Sequence, residues 1–375
     1  MECDLLSHFT ALKDPRIERT KRYPLLEIIF LIISGTLSGC EGWKSIRDFG
    51  VLKLDWLRQF LPYKHGIPVD DTLARLMRRL DTKQFASCFT GWMQGISAVT
   101  EGDIIAIDGK TLRRSYDKSS SKSAIHMVSA WSSANGVVLG QEKTAEKSNE
   151  ITAIPELLNS LAIKGCIVSI DAMGCQKEIA AQIIRQKGDY LLALKGNQGN
   201  LHEEVKTFFT AAREEDFKNI TVDSHQDIDA GHGRIETRKT YVINIEQYKK
   251  SLPSISEWKK LTHIVMVESL REGHDFKTAD TRFYITSASL SAEKLLHATR
   301  KHWAVENSLH WTLDVTFRED ECRIRKDAAP ENYAIFRHIA LNIIKKNTSI
   351  DASVKRKRNM AAWDDGVRTA LIKGI

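Results

Sequence analysis

From residue 1 to about 95 the apolar positions recur at helical spacing. In "YPLLEIIFLIISGTL" nearly every position is apolar, which predicts a helix buried all round. "WKSIRDFGVLKLDWLRQFL" and "DDTLARLMRRLDTKQFASCFTGWM" follow with one-sided patterns. In the last of these Leu73, Leu76, Met77 and Leu80 form the apolar stripe, and Asp70 or Asp71 is expected to cap the helix. Arg75, Arg78 and Arg79 flank that stripe. A basic helix flank can lie against DNA, and a solvated face explains it as well.

Near residue 101 the period changes. "DIIAIDGK" (103–110), "AIHMVSAWSS" (124–133) and "GVVLGQEKT" (136–144) read as strands, the last two joined at the turn signal Ala134-Asn135-Gly136. A helix over 149–163, a strand over 167–171, a helix over 176–188 and a strand over 189–196 follow. This β-β-β-α-β-α-β order predicts an α/β protein whose core is ribonuclease-H-like, a mixed sheet with flanking helices. Residues 219 to 290 return to β character in "TRKTYVINI", "LTHIVMVESL" and "TRFYITSASL". Helical patterns close the chain through "SAEKLLHATRKHWAVENSLHW" and "NYAIFRHIALNIIKKN". The expected division is an N-terminal helical domain at 1–95, a ribonuclease-H-like domain at 101–347 with a β-rich insertion at about 219–290, and a basic tail at 348–375.

Two of the apolar runs end on an acid. "IVSIDAMG" closes with Asp171, and "IIAIDGK" closes with Asp108. In the order given above the first and fourth strands are adjacent and parallel, so these two acids are expected side by side. Carboxylates that close repel each other, and a divalent cation removes the conflict. Oxygen-only ligation with water positions left open suits Mg²⁺ or Mn²⁺. A two-ion site that cuts and joins phosphodiesters needs a further acid. Glu306, in "RKHWAVENSLHW", is the candidate, with Glu319, Asp320 and Glu321 as weaker competitors. Taken singly, Asp108 in "DG" reads as a turn and Glu306 as a surface helix residue; the conjunction of three acids in this order carries the inference.

Charge and cysteines narrow the picture further. A net charge of +7 over 375 residues favours a polyanionic partner. Part of the excess is local: "KKNTSIDASVKRKR" (345–358) carries six basic residues against one acid, and reads equally as a solvated tail or a polyanion contact. Six scattered cysteines without CxxC spacing argue against a structural zinc site and a disulfide framework, and fit a reducing compartment. The N-terminus lacks the pattern of a signal peptide, and the apolar run at 25–40 contains Glu27 and falls short of the ~20 residues that cross a bilayer. A cytoplasmic protein with no membrane partner is expected.

The segments "IAIDGKTLRRS", "HMVSAWSSANGVVLGQEKTAEKSNEITAIPELL", "IVSIDAMGCQKEIA", "DYLLALKGNQGNL", "GHGRIETR" and "RKHWAVENSLHWTLDVTFRED" closely resemble the H-repeat-associated (ISAs-type) transposases of bacterial insertion sequences. "LKDPRIERTKRYPLLEII" and "GIPVDDTLARL" extend the resemblance to an N-terminal associated domain, expected to bind DNA, so it covers nearly the whole chain. It implies a bacterial DDE transposase that acts on chromosomal DNA, with Asp108, Asp171 and Glu306 as the acids that hold two Mg²⁺ or Mn²⁺ ions. It implies DNA as the partner, both element ends and target, a homodimer or larger assembly, and no small-molecule cofactor. Where the broader group carries a Tyr, Arg and Lys around its last acid, this chain has Thr299, His302 and Leu313.

Residues expected to touch DNA are Lys110, Arg113 and Arg114 after the first acid, and Lys195, Asn197 and Gln198 at the end of a core strand. His232, Arg234 and Arg238, which open the β-rich insertion, join them. Trp303 is expected in the core. Two rival functions stand beside transposition: a ribonuclease-H-like nuclease that cuts without joining, and a DNA-binding relic without catalysis.

Overall fold

The computed structural model describes residues 4–97, 101–116, 123–144, 149–231 and 233–374. His232 and most of the serine-rich loop at 117–123 lie outside them. The chain forms two compact units that interleave along the sequence. One comprises Met1–Ala98, Gly109–Asn149 and Glu306–Ile375; the other comprises Val99–Asp108 and Glu150–Val305.

The first unit opens with α1 (Asp4–Ser7), α2 (Leu25–Leu37), α3 (Trp43–Leu52), α4 (Leu54–Leu57), α5 (Asp70–Arg79) and α6 (Thr82–Ile96). It takes the last residues of β1 (Ile104–Leu112) with β2 (Ile125–Ser132) and β3 (Val137–Lys143), ordered β3-β2-β1. Gly136, at φ 64°, turns β2 into β3, a backbone conformation that suits glycine. The apolar texture of α2 has the expected consequence, and every residue from Glu27 to Leu37 is buried. Asp70 does not cap α5; Val69 precedes the helix without a side-chain cap, and both aspartates sit in its first turn, where they favour the positive end of the helix dipole.

The centre of this unit is a late helix. After α7 (Glu150–Ser160), α8 (Lys177–Arg185), α9 (Gly199–Glu214) and α10 (Ala292–Val305) of the second unit, the chain continues with a π-helical turn (Glu306–His310), α11 (Trp311–Val315), α12 (Ala329–Lys346), α13 (Val354–Trp363) and α14 (Asp365–Lys373). α12 packs against α2, α5, α6 and β3 and is buried on nearly every face. Two of its buried polar residues, Asn332 and Asn342, pair with backbone groups of neighbouring elements. Asn332 Nδ2 donates to Met77 O at 2.9 Å and Leu80 O at 3.1 Å. Asn342 accepts from Val138 N at 2.9 Å and donates to Val138 O at 2.8 Å.

The segment that reads as a basic tail folds as α13 and α14, capped by Ser353 and Asp364. Arg358 is buried, donates to Thr36 O at 3.1 Å and stacks 4.5 Å above Phe317. Arg368 is fully buried between Trp56 and Phe49, at 4.2 and 5.0 Å. Of the run 355–358 only Lys355 and Arg356 face solvent.

The second unit holds the first residues of β1, then α7 (Glu150–Ser160), β4 (Ile167–Ile170), α8 (Lys177–Arg185), β5 (Asp189–Leu194) and α9 (Gly199–Glu214). Four long strands follow, β6 (Val222–Gly231), β7 (Arg234–Asn244), β8 (His263–Gly273) and β9 (Lys277–Thr286), and then α10 (Ala292–Val305). Its sheet runs β1-β4-β5-β9-β8-β7-β6. β1, β4 and β5 are parallel, and the remainder are antiparallel. This is the mixed α/β arrangement of the ribonuclease-H-like fold, with the β-rich insertion continuing the same sheet.

β6, "VDSHQDIDAG", lacks an apolar run because six of its ten residues are polar. Its acids work on α10 instead: Asp223 accepts from Ala292 N at 2.7 Å, and Arg300 reaches Asp227 at 2.6 Å and Asp229 at 3.1 Å. α10 is pinned over β4 from the other side by His302, whose ring donates to the Ser169 carbonyl. Burial pushes the His302 imidazole down to about 4. A depressed histidine adds stability that is whole above its ordinary value of 6.5 and is lost as pH falls towards 4. Urea midpoints measured from pH 7 to 4 should therefore fall more steeply for the wild type than for His302→Asn, which has no such proton to take up. Parallel slopes would contradict the assignment.

Candidate active site

The site begins on two neighbouring strands: Asp171 directly follows the end of β4, whereas β1 runs on through Asp108 to Leu112, so Asp108 lies within its strand and not at the expected strand end or turn. β1 and β4 run parallel in the register Ile104↔Ile167 through Ile107↔Ile170, so Asp108 and Asp171 occupy the next matched position. Neighbouring strands lie about 4.8 Å apart, so the backbones of the two acids stand side by side. Ile105, Ala106, Ile107, Val168 and Ile170 are buried beneath them, and both acids are half-buried.

Asp171 also ends its strand. Its Oδ1 accepts from Met173 N at 3.0 Å and Gly174 N at 3.2 Å, an Asx turn that reverses the chain out of the sheet. The turn is held from β5's end, where Asn197 Nδ2 donates to Ala172 O at 2.5 Å and Gln198 Nε2 to Cys175 O at 2.8 Å. Burial pushes the Asp171 carboxyl above the usual range, and the nearby Glu150 adds to this; the Gly174 amide, the Met173 amide and the Lys195 ammonium oppose it. An acid in this setting gains from a cation.

Gly174 is required by space. A Cβ there would stand 2.3 Å from Ile170 Cγ2 and 2.8 Å from Ile154 Cδ1. Gly174→Ala should destabilise the protein by about 1–3 kcal/mol by overpacking and displace Asp171. Urea unfolding and DNA cleavage measured on the same preparation check this, and an unchanged variant on both would refute it.

Glu306 follows directly on α10 and opens the π-helical turn. Its side chain is 68% exposed and its Oε2 lies 3.1 Å from Nδ1 of His310, which is buried. The three positions that depart from the broader signature, Thr299, His302 and Leu313, are all buried and belong to the packing of their helices.

The competing acids are engaged elsewhere. Lys110, 12% exposed, donates to Asp314 at 2.5 Å and Glu319 at 2.8 Å, with Asp320 at 3.7 Å. Glu319, 2% exposed, also faces Arg337 at 3.4 Å. Burial raises the Glu319 carboxyl, but Lys110 and Arg337 outweigh it and hold it below the usual range. Glu321 pairs with Arg318 at the surface. Sequence reading ranked Glu319 only as a spare acid; the sole signal of its role was a cation two residues after Asp108.

The remaining expected residues divide by exposure. Lys110 belongs to the internal network just described. Arg113 is 79% exposed beside Asp320 at 3.2 Å, and Arg114 is exposed. Lys195 and Arg234 are exposed, whereas Arg238 is 13% exposed and paired with Glu236 at 2.6 Å. Trp303 is not in the core: it is 48% exposed, with the Arg282 guanidinium 4.6 Å from its ring centre. Its neighbours on α10, His302 and Val305, take the inward positions.

A ribonuclease-H-like sheet with acids at matched positions of two adjacent parallel strands defines the class of protein. Residues 100–343 match the family described as the transposase DDE domain, and residues 6–93 match the domain described as associated with it. The chain belongs to the DDE transposase family. It is 44% identical over 361 residues to "Putative transposase YncI" of Escherichia coli O157:H7, covering 96% of this chain and 91% of that protein. It is 42% identical over 374 residues to "H repeat-associated putative transposase YhhI" of Escherichia coli K12, covering 99% and 98%. A short relative, "Inactive transposase YbfQ" of the same strain, is 40% identical over 73 residues, covering 20% of this chain and 87% of its own length. Among the described residues no helix is long and apolar enough to cross a membrane.

Proposed function

We propose that this protein binds the ends of an insertion sequence, cuts them and joins them to target DNA, with Asp108, Asp171 and Glu306 as its catalytic acids. The observation that carries the reading is the matched position of Asp108 and Asp171 on parallel β1 and β4. α10 supports the third member: His302 ties it to Ser169 on β4, and Glu306 is four residues, about one helical turn, further on.

The donor set fits a hard divalent cation, Mg²⁺ or Mn²⁺, in one or two copies. Carboxylate oxygens are the donors such ions prefer, and burial raises the Asp171 carboxyl, which a cation would relieve. When bound, such an ion makes an attacking water or 3′-hydroxyl more acidic and stabilises the departing oxygen. The chain's own residues do the rest. The Asx turn and the Asn197 and Gln198 amides fix Asp171, and Lys195 and Arg114 lie exposed to meet phosphates. Phosphate contacts of this sort make DNA binding salt-sensitive and only weakly dependent on sequence. Two ends handled together call for a dimer or larger assembly.

The test is a labelled linear DNA carrying the element's own end, incubated with the purified protein in Mg²⁺, Mn²⁺ or EDTA. Nicking at the junction in either metal, lost in EDTA, is the expected result. Tight binding without a nick in any metal would overturn the catalytic reading and leave a DNA-binding relic.

A further inference from the structure

Resting on that assignment of Glu306, we propose that His310 is a positioning residue: it holds the Glu306 carboxylate for metal binding and does not itself ligate the ion. Glu306 and His310 open and close the five-residue π-helical turn between α10 and α11. π turns interrupt regular helices at a cost and recur where a side chain has to be aimed. Here the turn sets a 6% exposed imidazole under a 68% exposed carboxylate, with His310 Nδ1 3.1 Å from Glu306 Oε2.

An ionised carboxylate can only accept a hydrogen bond, so Nδ1 carries the proton on that side. The bond ties down one oxygen of the exposed Glu306 side chain. An exposed glutamate otherwise samples many rotamers, and holding it still removes that loss from the moment the ion binds. This is the role that hydrogen-bond partners behind first ligands commonly play. His310 also carries a ring nitrogen of the kind that could bind a metal directly. Two observations favour the positioning role. The ring is buried while the carboxylate is exposed, and Mg²⁺ and Mn²⁺ prefer the oxygen that Glu306 offers.

The test uses Mn²⁺ as the probe with the full-length protein. Titration of the wild type, Glu306→Gln, His310→Leu and His310→Asn measures affinity, and spin-echo spectroscopy of bound Mn²⁺ reads any nitrogen coupling. His310→Asn places an amide N–H close to where Nδ1 stands, so it separates lost donation from lost packing. Expected are a 10–100-fold weaker Mn²⁺ affinity in His310→Leu, recovery of most of it in His310→Asn, and no histidine nitrogen coupling in the wild type. A nitrogen coupling in the wild type that disappears in His310→Leu would overturn the inference by making His310 a ligand. Equal affinity in wild type and His310→Leu, or equal loss in both His310 variants, would overturn it as well. If instead Glu306→Gln binds Mn²⁺ as the wild type does, or the wild type binds none, the assignment of Glu306 fails and the inference with it.

Discussion

Asp171→Asn should lower cleavage at the element end by on the order of 10³-fold or more while the protein remains folded. Asparagine keeps the shape and the Oδ1 acceptor, so the bonds from Met173 N and Gly174 N that form the turn survive. What it removes is the charge. Because burial and Glu150 hold the Asp171 carboxyl above its usual range, neutralising it relieves the folded state, and the melting temperature should stay level or rise. Cleavage and thermal unfolding measured on one preparation separate the two effects. An Asn variant that keeps a tenth or more of wild-type cleavage would remove Asp171 from the chemistry. A variant that loses cleavage and unfolds would show only that the turn needs the charge.

The largest effect on stability is expected at Lys110. Its ammonium sits among Asp314, Glu319 and Asp320, and Glu319 is nearly inaccessible to water. Breaking a buried ion network by removing one partner leaves charge buried without compensation. Lys110→Met should lower the unfolding free energy by about 3–5 kcal/mol, read as a lower urea midpoint with an unchanged slope. Glu319→Gln added to Lys110→Met should recover part of that loss, because the uncompensated carboxylate is then gone. The pH dependence has a definite sign. A carboxyl held below its ordinary value of 4.5 contributes stability above that pH, and the contribution is lost as pH falls through the lowered value. The gap between wild type and Lys110→Met should therefore narrow below pH 4.5. A loss under about 1 kcal/mol at neutral pH would mean that water reaches the network and screens it.

Much of this architecture could be read from the chain because periodicity and burial agree there. The order from β1 to β5 is legible because buried parallel strands are continuous apolar runs, and an acid at the end of such a run stands out. Asp108 and Asp171 were visible for that reason, and their matched register follows from the order of the elements. β6 was not legible because α10, and not an apolar core, gives its aspartates their partners. The 345–358 segment misled in the opposite way. Charge counts cannot distinguish a solvated arginine from one stacked on an aromatic ring, and Arg358 is of the second kind. Lys110 was open to the same error. Its place after Asp108 invited a phosphate contact, and the acids it meets lie some two hundred residues further along the chain. Trp303 was misplaced because one helix offers His302, Trp303 and Val305 as candidates for burial, and only the turn angle decides among them.

Joining is the step that separates a transposase from a nuclease of the same fold. The most direct test supplies the wild-type protein with a pre-cut element end and a supercoiled target in Mg²⁺ or Mn²⁺. One DNA ends in a 3′-hydroxyl and its twin in a 2′,3′-dideoxynucleotide. The account predicts a product joined to the target from the hydroxyl end alone, lost with EDTA and with Asp171→Asn. Efficient cutting of intact ends with no joined product from the hydroxyl end would contradict it and leave a nuclease.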